Sequence, residues 1–163
     1  MTIPERYAAV IGQINAHIHA FNAFLAPEHK LSGISIDDPS MFADIANRRA
    51  TGDLWPSKDS VGVYILCGRH EVDATQLGVY IGKASVGTKR IGHRLWNHLV
   101  RFRVGDNYRM MGRSKEPFIL EALLAIPIGA ATSPSIAAAL EEHLIARGLV
   151  DISMINTVGK KRC

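Results

Sequence analysis

Tyr64, Tyr80, Arg94 and His98 are the residues of this chain whose types and spacing suit chemistry. Each tyrosine sits near glycine in a short apolar run, Val61-Gly62-Val63-Tyr64-Ile65-Leu66 and Gly78-Val79-Tyr80-Ile81-Gly82-Lys83. A basic stretch follows at once, Lys89-Arg90-Ile91-Gly92-His93-Arg94-Leu95-Trp96-Asn97-His98-Leu99. A phenol, a guanidinium and an imidazole brought together on a cationic surface can orient water, pair with phosphate oxygens and move a proton. A phosphodiester is a substrate class that uses all three.

The charge distribution points the same way. Residues 83–115 hold nine Lys/Arg (Lys83, Lys89, Arg90, Arg94, Arg101, Arg103, Arg109, Arg113, Lys115) and one acid, Asp106, whereas residues 1–60 carry five Lys/Arg against seven Asp/Glu. The basic run lacks the acids at i±4 that a merely solubilising helix face often carries. A polyanion partner fits such a patch, and Lys83, Lys89, Arg90, Arg101 and Arg103 are the candidate phosphate contacts.

The elements that must position these groups are legible from periodicity. Val61, Val63 and Ile65 alternate with Tyr64 and Leu66, and Val79 and Ile81 with Tyr80, as in two strands. If the strands form an antiparallel hairpin, both tyrosines emerge on one sheet face. A helix over about 89–102 buries Ile91, Leu95, Leu99 and Phe102, and carries Arg90, Arg94, His98 and Arg101 on a neighbouring stripe. Gly92 weakens that helix and is expected to admit a close approach of sheet or phosphate. Residues 117–126 suit either a strand or a helix, and the flanking Pro117 and Pro127 favour a third strand. Ser133 and Pro134 open a helix that Gly148 closes.

Upstream, Tyr7, Val10, Ile11, Ile14, Ile18, Phe21 and Leu25 recur at helical spacing over 3–25, with Thr2 as cap and Pro27 as stop. Asp38 and Pro39 are expected to open a second short helix to about residue 50, with Met41, Phe42 and Ile45 inward. At 163 residues the chain is one domain with an appendage. No apolar run approaches the roughly 18 residues that span a bilayer. The N-terminus lacks a signal-peptide layout, so a cytoplasmic location is expected. Cys67, in a buried strand, and Cys163, the last residue, have neither disulfide nor zinc-site character.

At these residues the chain resembles the GIY-YIG nuclease superfamily. Its two strand motifs correspond to Gly62-Val63-Tyr64 and Tyr80-Ile81-Gly82, its helix motif to Arg94-Leu95-Trp96-Asn97-His98, its later glutamate to Glu141 in Glu141-Glu142-His143-Leu144-Ile145, and its closing asparagine to Asn156. The likeness spans about 61–157. The fifteen residues between Tyr64 and Tyr80, and the stretch 83–89, exceed the family spacing. Arg90 with Arg94 is a rival register on the helix, and Glu142 a rival to Glu141.

The resemblance implies an α+β fold. A small three-stranded sheet, mixed or antiparallel and flanked by helices, would occupy 61–163, with a helical N-terminal extension over 1–60. It implies a metal-dependent endonuclease acting on DNA, with Mg²⁺ (or Mn²⁺) held by Glu141. Arg94 would pair with non-bridging phosphate oxygens, Tyr64 would act as general base and Tyr80 would orient water or phosphate. His98 would relay a proton or fix the phosphate, and Asn156 would hold a site group. Because an ordinary phenol has a pKa near 10, Tyr64 needs help from Lys83, Arg94 or the metal site. Two alternatives stand beside this reading: a catalytically silent nucleic-acid-binding module on the same fold, and a small-ligand enzyme that borrowed the scaffold. Residues 1–60 are a candidate surface for a second copy or a protein regulator.

Overall fold

Thr2 and Glu5 close a reciprocal capping box. The Thr2 hydroxyl oxygen accepts from the Glu5 amide at 3.3 Å, and the Glu5 carboxylate accepts from the Thr2 amide at 2.7 Å. The box launches α1 (Ile3–Asn22), whose Tyr7, Val10, Ile11, Ile14, Ile18 and Phe21 are buried as the stripe predicts. The helix stops one turn before Leu25. The amides of Phe24 and Leu25 tighten onto the carbonyls of Phe21 and Asn22, and the Asn22 side chain binds both the amide and the carbonyl of Leu31, at 2.8 and 2.9 Å. Asn15 grips Ile34 in the same way, so the returning chain is fastened along the helix.

The computed structural model describes residues 1–45, 55–85, 89–101, 103–105, 107–111, 117–129 and 134–155. Over residues 39–45 the helix expected after Asp38 does not form, and the rest of its expected span, 46–50, lies outside the described residues. Asp38 instead caps a single turn, its carboxylate accepting from the Ser40 amide and hydroxyl at 2.8 and 2.6 Å. The chain then extends as β1 (Phe42–Asp44). The inward positions of Met41, Phe42 and Ile45 hold, but Phe42 and Ala43 are delivered to opposite sides of a sheet.

Among the described residues that sheet has seven strands rather than three. Along the chain β2 (Val61–His70) and β3 (Leu77–Ala84) come first, then α2 (Ile91–Arg101), β4 (Arg103–Val104), β5 (Asn107–Met111) and β6 (Pro117–Ile128). The helix α3 (Pro134–Arg147) and β7 (Ser153–Met154) complete it. The strand order is β4-β5-β6-β2-β3-β7, and β1 pairs with the part of β6 beyond β5. All pairings are antiparallel except β3 with β7, so the sheet is mixed and the α+β class holds. The strands missing from the sequence reading are two to five residues long, too short to display a period.

The sheet separates two cores. On one face Val63, Ile65, Cys67, Val79 and Ile81 pack under α1 and α3, while on the other Tyr64, Leu66, Ala84 and Phe118 pack under Ile91, Leu95 and Leu99 of α2. A carboxylate fastens α1 to the first face. Glu121 is the extra residue at the bulge where β6 meets Cys67 and Gly68 of β2. It accepts from the Arg6 guanidinium at 2.5 and 2.7 Å, from the Tyr7 hydroxyl at 2.9 Å and from Arg69 Nε at 2.8 Å. No helix among the described residues is long and apolar enough to cross a membrane.

Candidate active site

The strand pairing brings the two glycine-tyrosine motifs into one unit. Tyr64 of β2 is the cross-strand partner of Gly82 of β3, and Leu66 that of Tyr80. A Cβ at position 82 would overlap Cζ and the hydroxyl of Tyr64, so the second motif's glycine is the space in which the first motif's phenol lies. The first motif's glycine answers a different need. Gly62 has φ +151°, and a Cβ there would strike the carbonyl oxygen of Ile126 on β6. The tyrosine rings stack with centroids 6.4 Å apart and planes 24° apart.

Helix α2 covers this face, and its Arg94 and His98 project one turn apart. Gly92 does admit a close approach, but of neither sheet nor phosphate. The loop at 57–60 packs there, with Lys58 Cβ 2.7 Å from where a Gly92 Cβ would be. The Gly92 and Ile91 amides donate to the carbonyls of Lys58 and Ser60 at 2.8 and 3.0 Å. The loop therefore satisfies the first donors of the helix and fixes its position over the sheet. His98 Nε2 lies 3.1 Å from the Tyr64 hydroxyl oxygen, and the imidazole centroid is 4.9 Å from that of Tyr80. The buried Nε of Arg94 has no hydrogen-bond partner among the described residues. Such an orphaned donor on a cation invites an acceptor from outside the chain.

Glu141 comes from α3, in the opposite layer. It forms an ion pair of 3.1 Å with Lys83 of β3. Its charge is felt at both tyrosines. Burial is the main cause that raises the Tyr64 and Tyr80 phenols above the ordinary range; Glu141 adds to the rise at each, and the nearby Arg94 opposes it. The rise at Tyr64 runs against a phenolate acting as base. Glu142, next in the chain, is exposed.

Tyr64, Tyr80, Lys83, Arg94, His98 and Glu141 thus gather from four elements. Lys89 is exposed and Arg90 half-buried at the start of α2. The side chains of Arg101 and Arg103, and all of Asn156, lie outside the described residues. The sequence reading missed a cavity of about 180 Å³ beside Tyr80 and His98, with Leu66, Leu99, Met110 and Ile155 among its lining. Its walls are largely apolar. Arg109 reaches its edge and is paired with Glu71 at 2.5 Å.

Among the described residues there is no group of three or more His, Cys, Asp or Glu able to hold a metal. Mg²⁺ does not require one, because it keeps several waters and is commonly held by one or two carboxylates plus substrate phosphate oxygens. Glu141, with the Arg94 Nε available to a phosphate oxygen, fits that donor set. Comparison with protein-family models, curated proteins and solved structures found no match.

Proposed function

We propose that the chain is a metal-dependent endonuclease of GIY-YIG type that hydrolyses DNA phosphodiester bonds. The observation that carries this reading is the convergence of Tyr64, Tyr80, Arg94, His98 and Glu141, residues separated by up to 77 positions in sequence, on one rim of the sheet.

The buried phenols suit neutral rather than anionic roles. The Tyr64 hydroxyl can donate to His98 Nε2 while its oxygen accepts from an attacking water. A proton leaving the water then moves through Tyr64 Oη to the imidazole, and no phenolate accumulates. This replaces a phenolate base with a histidine acceptor, the side chain best suited to change protonation near neutrality. Tyr80, stacked on Tyr64 and against His98, holds the water or a phosphate oxygen in line. Arg94 offers its planar fork to the non-bridging oxygens. Glu141 would hold a divalent cation, which supplies positive charge to the phosphate and the departing oxygen. Lys83 neutralises Glu141 and adds to the field that draws phosphate in.

Supercoiled plasmid incubated with Mg²⁺ will be nicked or linearised, and EDTA will stop it. Arg94→Ala and Glu141→Gln will each lower the rate by about 10²–10³ if they stabilise developing charge. One observation favours the silent binding module: the Lys83–Glu141 ion pair occupies the carboxylate. Salt-sensitive DNA binding with no cutting in Mg²⁺ or Mn²⁺ would establish that reading and dismiss the nuclease.

A further inference from the structure

A second feature lies on α2, on a face the catalytic proposal does not use. Trp55, Lys58, Asp59, Arg90, Gly92, His93 and Trp96 line an open groove of about 340 Å³. Trp55 is 5% exposed and Trp96 53% exposed, with ring centroids 5.7 Å apart. One tryptophan is the floor, and the other stands over it with much of its ring in water. The groove is built. Ser57 adopts φ 49° and its hydroxyl donates to the Ser40 carbonyl at 2.5 Å, the Ser60 amide closes a turn onto Ser57, and the Lys58 carbonyl is held by Gly92.

A half-exposed indole flanked by Lys58, Arg90 and His93 is an unusual surface for a side chain that merely packs. Trp offers a flat face on which any base can stack, and the cations suit a phosphate. Asp59 repels phosphate from its own side and suits an N–H donor on a base edge, such as thymine N3–H. The groove also adjoins the catalytic rim. The Arg94 amide donates to the Arg90 carbonyl at 3.1 Å, so the two guanidinium-bearing residues are one helical turn, about 5.4 Å, apart along the axis. A strand with one phosphate at Arg94 meets Arg90 next.

We propose that this groove seats an unpaired nucleotide of the DNA strand beside the scissile phosphate, its base on Trp96 and its phosphate between Lys58 and Arg90. The proposal rests on the reading of DNA as partner and makes the preferred substrate one with single-stranded character next to the cut. Bases inside a duplex are already stacked and do not offer that face.

The test is binding by the full chain in EDTA, where nothing is cut, to a fluorescein-labelled oligothymidine and to a blunt duplex, read by anisotropy. Trp96→Ala will weaken oligothymidine binding about tenfold or more, the loss of one base–aromatic stack, and change duplex binding by less than about threefold. Trp96→Phe will recover most of the affinity. Arg90→Gln, which leaves the indoles in place, will lower the salt slope by about one unit. Oligothymidine affinity unchanged in a folded Trp96→Ala protein, or equal losses on both DNAs, overturns the groove. The two readings separate cleanly. Plasmid cutting with Trp96-independent binding removes the groove and leaves the nuclease. Trp96-dependent binding with no cutting in Mg²⁺ keeps the groove and removes the nuclease.

Discussion

The pairing of Gly82 with the Tyr64 ring makes a prediction that depends on packing alone. A Cβ at position 82 would overlap Cζ and the hydroxyl of Tyr64 and lie 2.7 Å from Cε2, where ordinary contact begins near 3.4 Å. The ring must retreat by about 1 Å in an interior too dense to absorb the shift. It is hemmed in by Tyr80 and His98. Gly82→Ala is therefore expected to cost about 1–3 kcal/mol, as overpacking does. At a strand position without strained φ, the same change would otherwise stabilise by about 0.4–1 kcal/mol through the unfolded chain. In a Tyr64→Leu background the atoms that clash are gone, so Gly82→Ala should become neutral or favourable. The difference between the two backgrounds is a coupling energy of roughly 1–4 kcal/mol, read from a double-mutant cycle in urea. With an m-value of about 2 kcal/mol/M, the midpoint falls by about 1 M in one background and not in the other. The same 1 Å displacement should slow plasmid cleavage on the order of 10²-fold. Equal midpoint shifts in both backgrounds would refute the reasoning, because the glycine would then not be making room for the phenol.

Three further outcomes follow from the same geometry. Glu121→Ala leaves two guanidiniums and the Tyr7 hydroxyl around an empty position, and should cost about 3–5 kcal/mol in urea unfolding, yet leave cleavage by the folded protein unaltered because the site lies on the other face. Burial raises the Cys67 thiol and the phenols of Tyr7, Tyr64 and Tyr80, so the folded chain holds protons that the unfolded chain loses above about pH 8.5 at the thiol and about pH 10 at the phenols; stability should begin to fall at about pH 8.5, fall more steeply above about pH 10, and lose part of that steeper slope in Tyr64→Phe. Lys83 is more than a third exposed, so Lys83→Ala should change stability by less than about 1 kcal/mol, while freeing Glu141 should lower the Mg²⁺ concentration for half-maximal cleavage, measured by titration at fixed DNA.

What the sequence displayed, it displayed through local periods. The Thr2 cap, the apolar stripe of α1, the alternation in β2 and β3 and the Ile91-Leu95-Leu99 ridge of α2 all came through, because each is written in residues a few positions apart. The strand β1 did not, because Asp38-Pro39 begins a helix and a single turn equally well, and the choice was made by an open edge on β6 more than eighty positions later. Glu121 carried an unused signal. A lone acid in an otherwise apolar run is rarely buried without partners, and Arg6, Tyr7 and Arg69 are those partners. The place of Glu141 could not be read from its helix, since it depends on α3 lying in the opposite layer and meeting Lys83 of β3.

The spacing of the two tyrosine motifs shows how sequence and structure inform each other. Fifteen residues separate Tyr64 from Tyr80, yet in a hairpin the quantity that matters is register. β2 continues to His70, β3 begins at Leu77, and the turn between them is closed by Asp73 and its bonds to Thr75 and Gln76. Lengthening both strands together leaves Tyr64 opposite Gly82. A one-residue slip would instead send Tyr64 or Tyr80 to the face beneath α1 and α3, away from Arg94 and His98. The chemical grouping is thus preserved by any insertion that adds equally to both strands and destroyed by any that does not. A two-residue extension of each strand at the turn should leave both the Gly82–Tyr64 coupling and cleavage intact, and a one-residue deletion within β3 should abolish both.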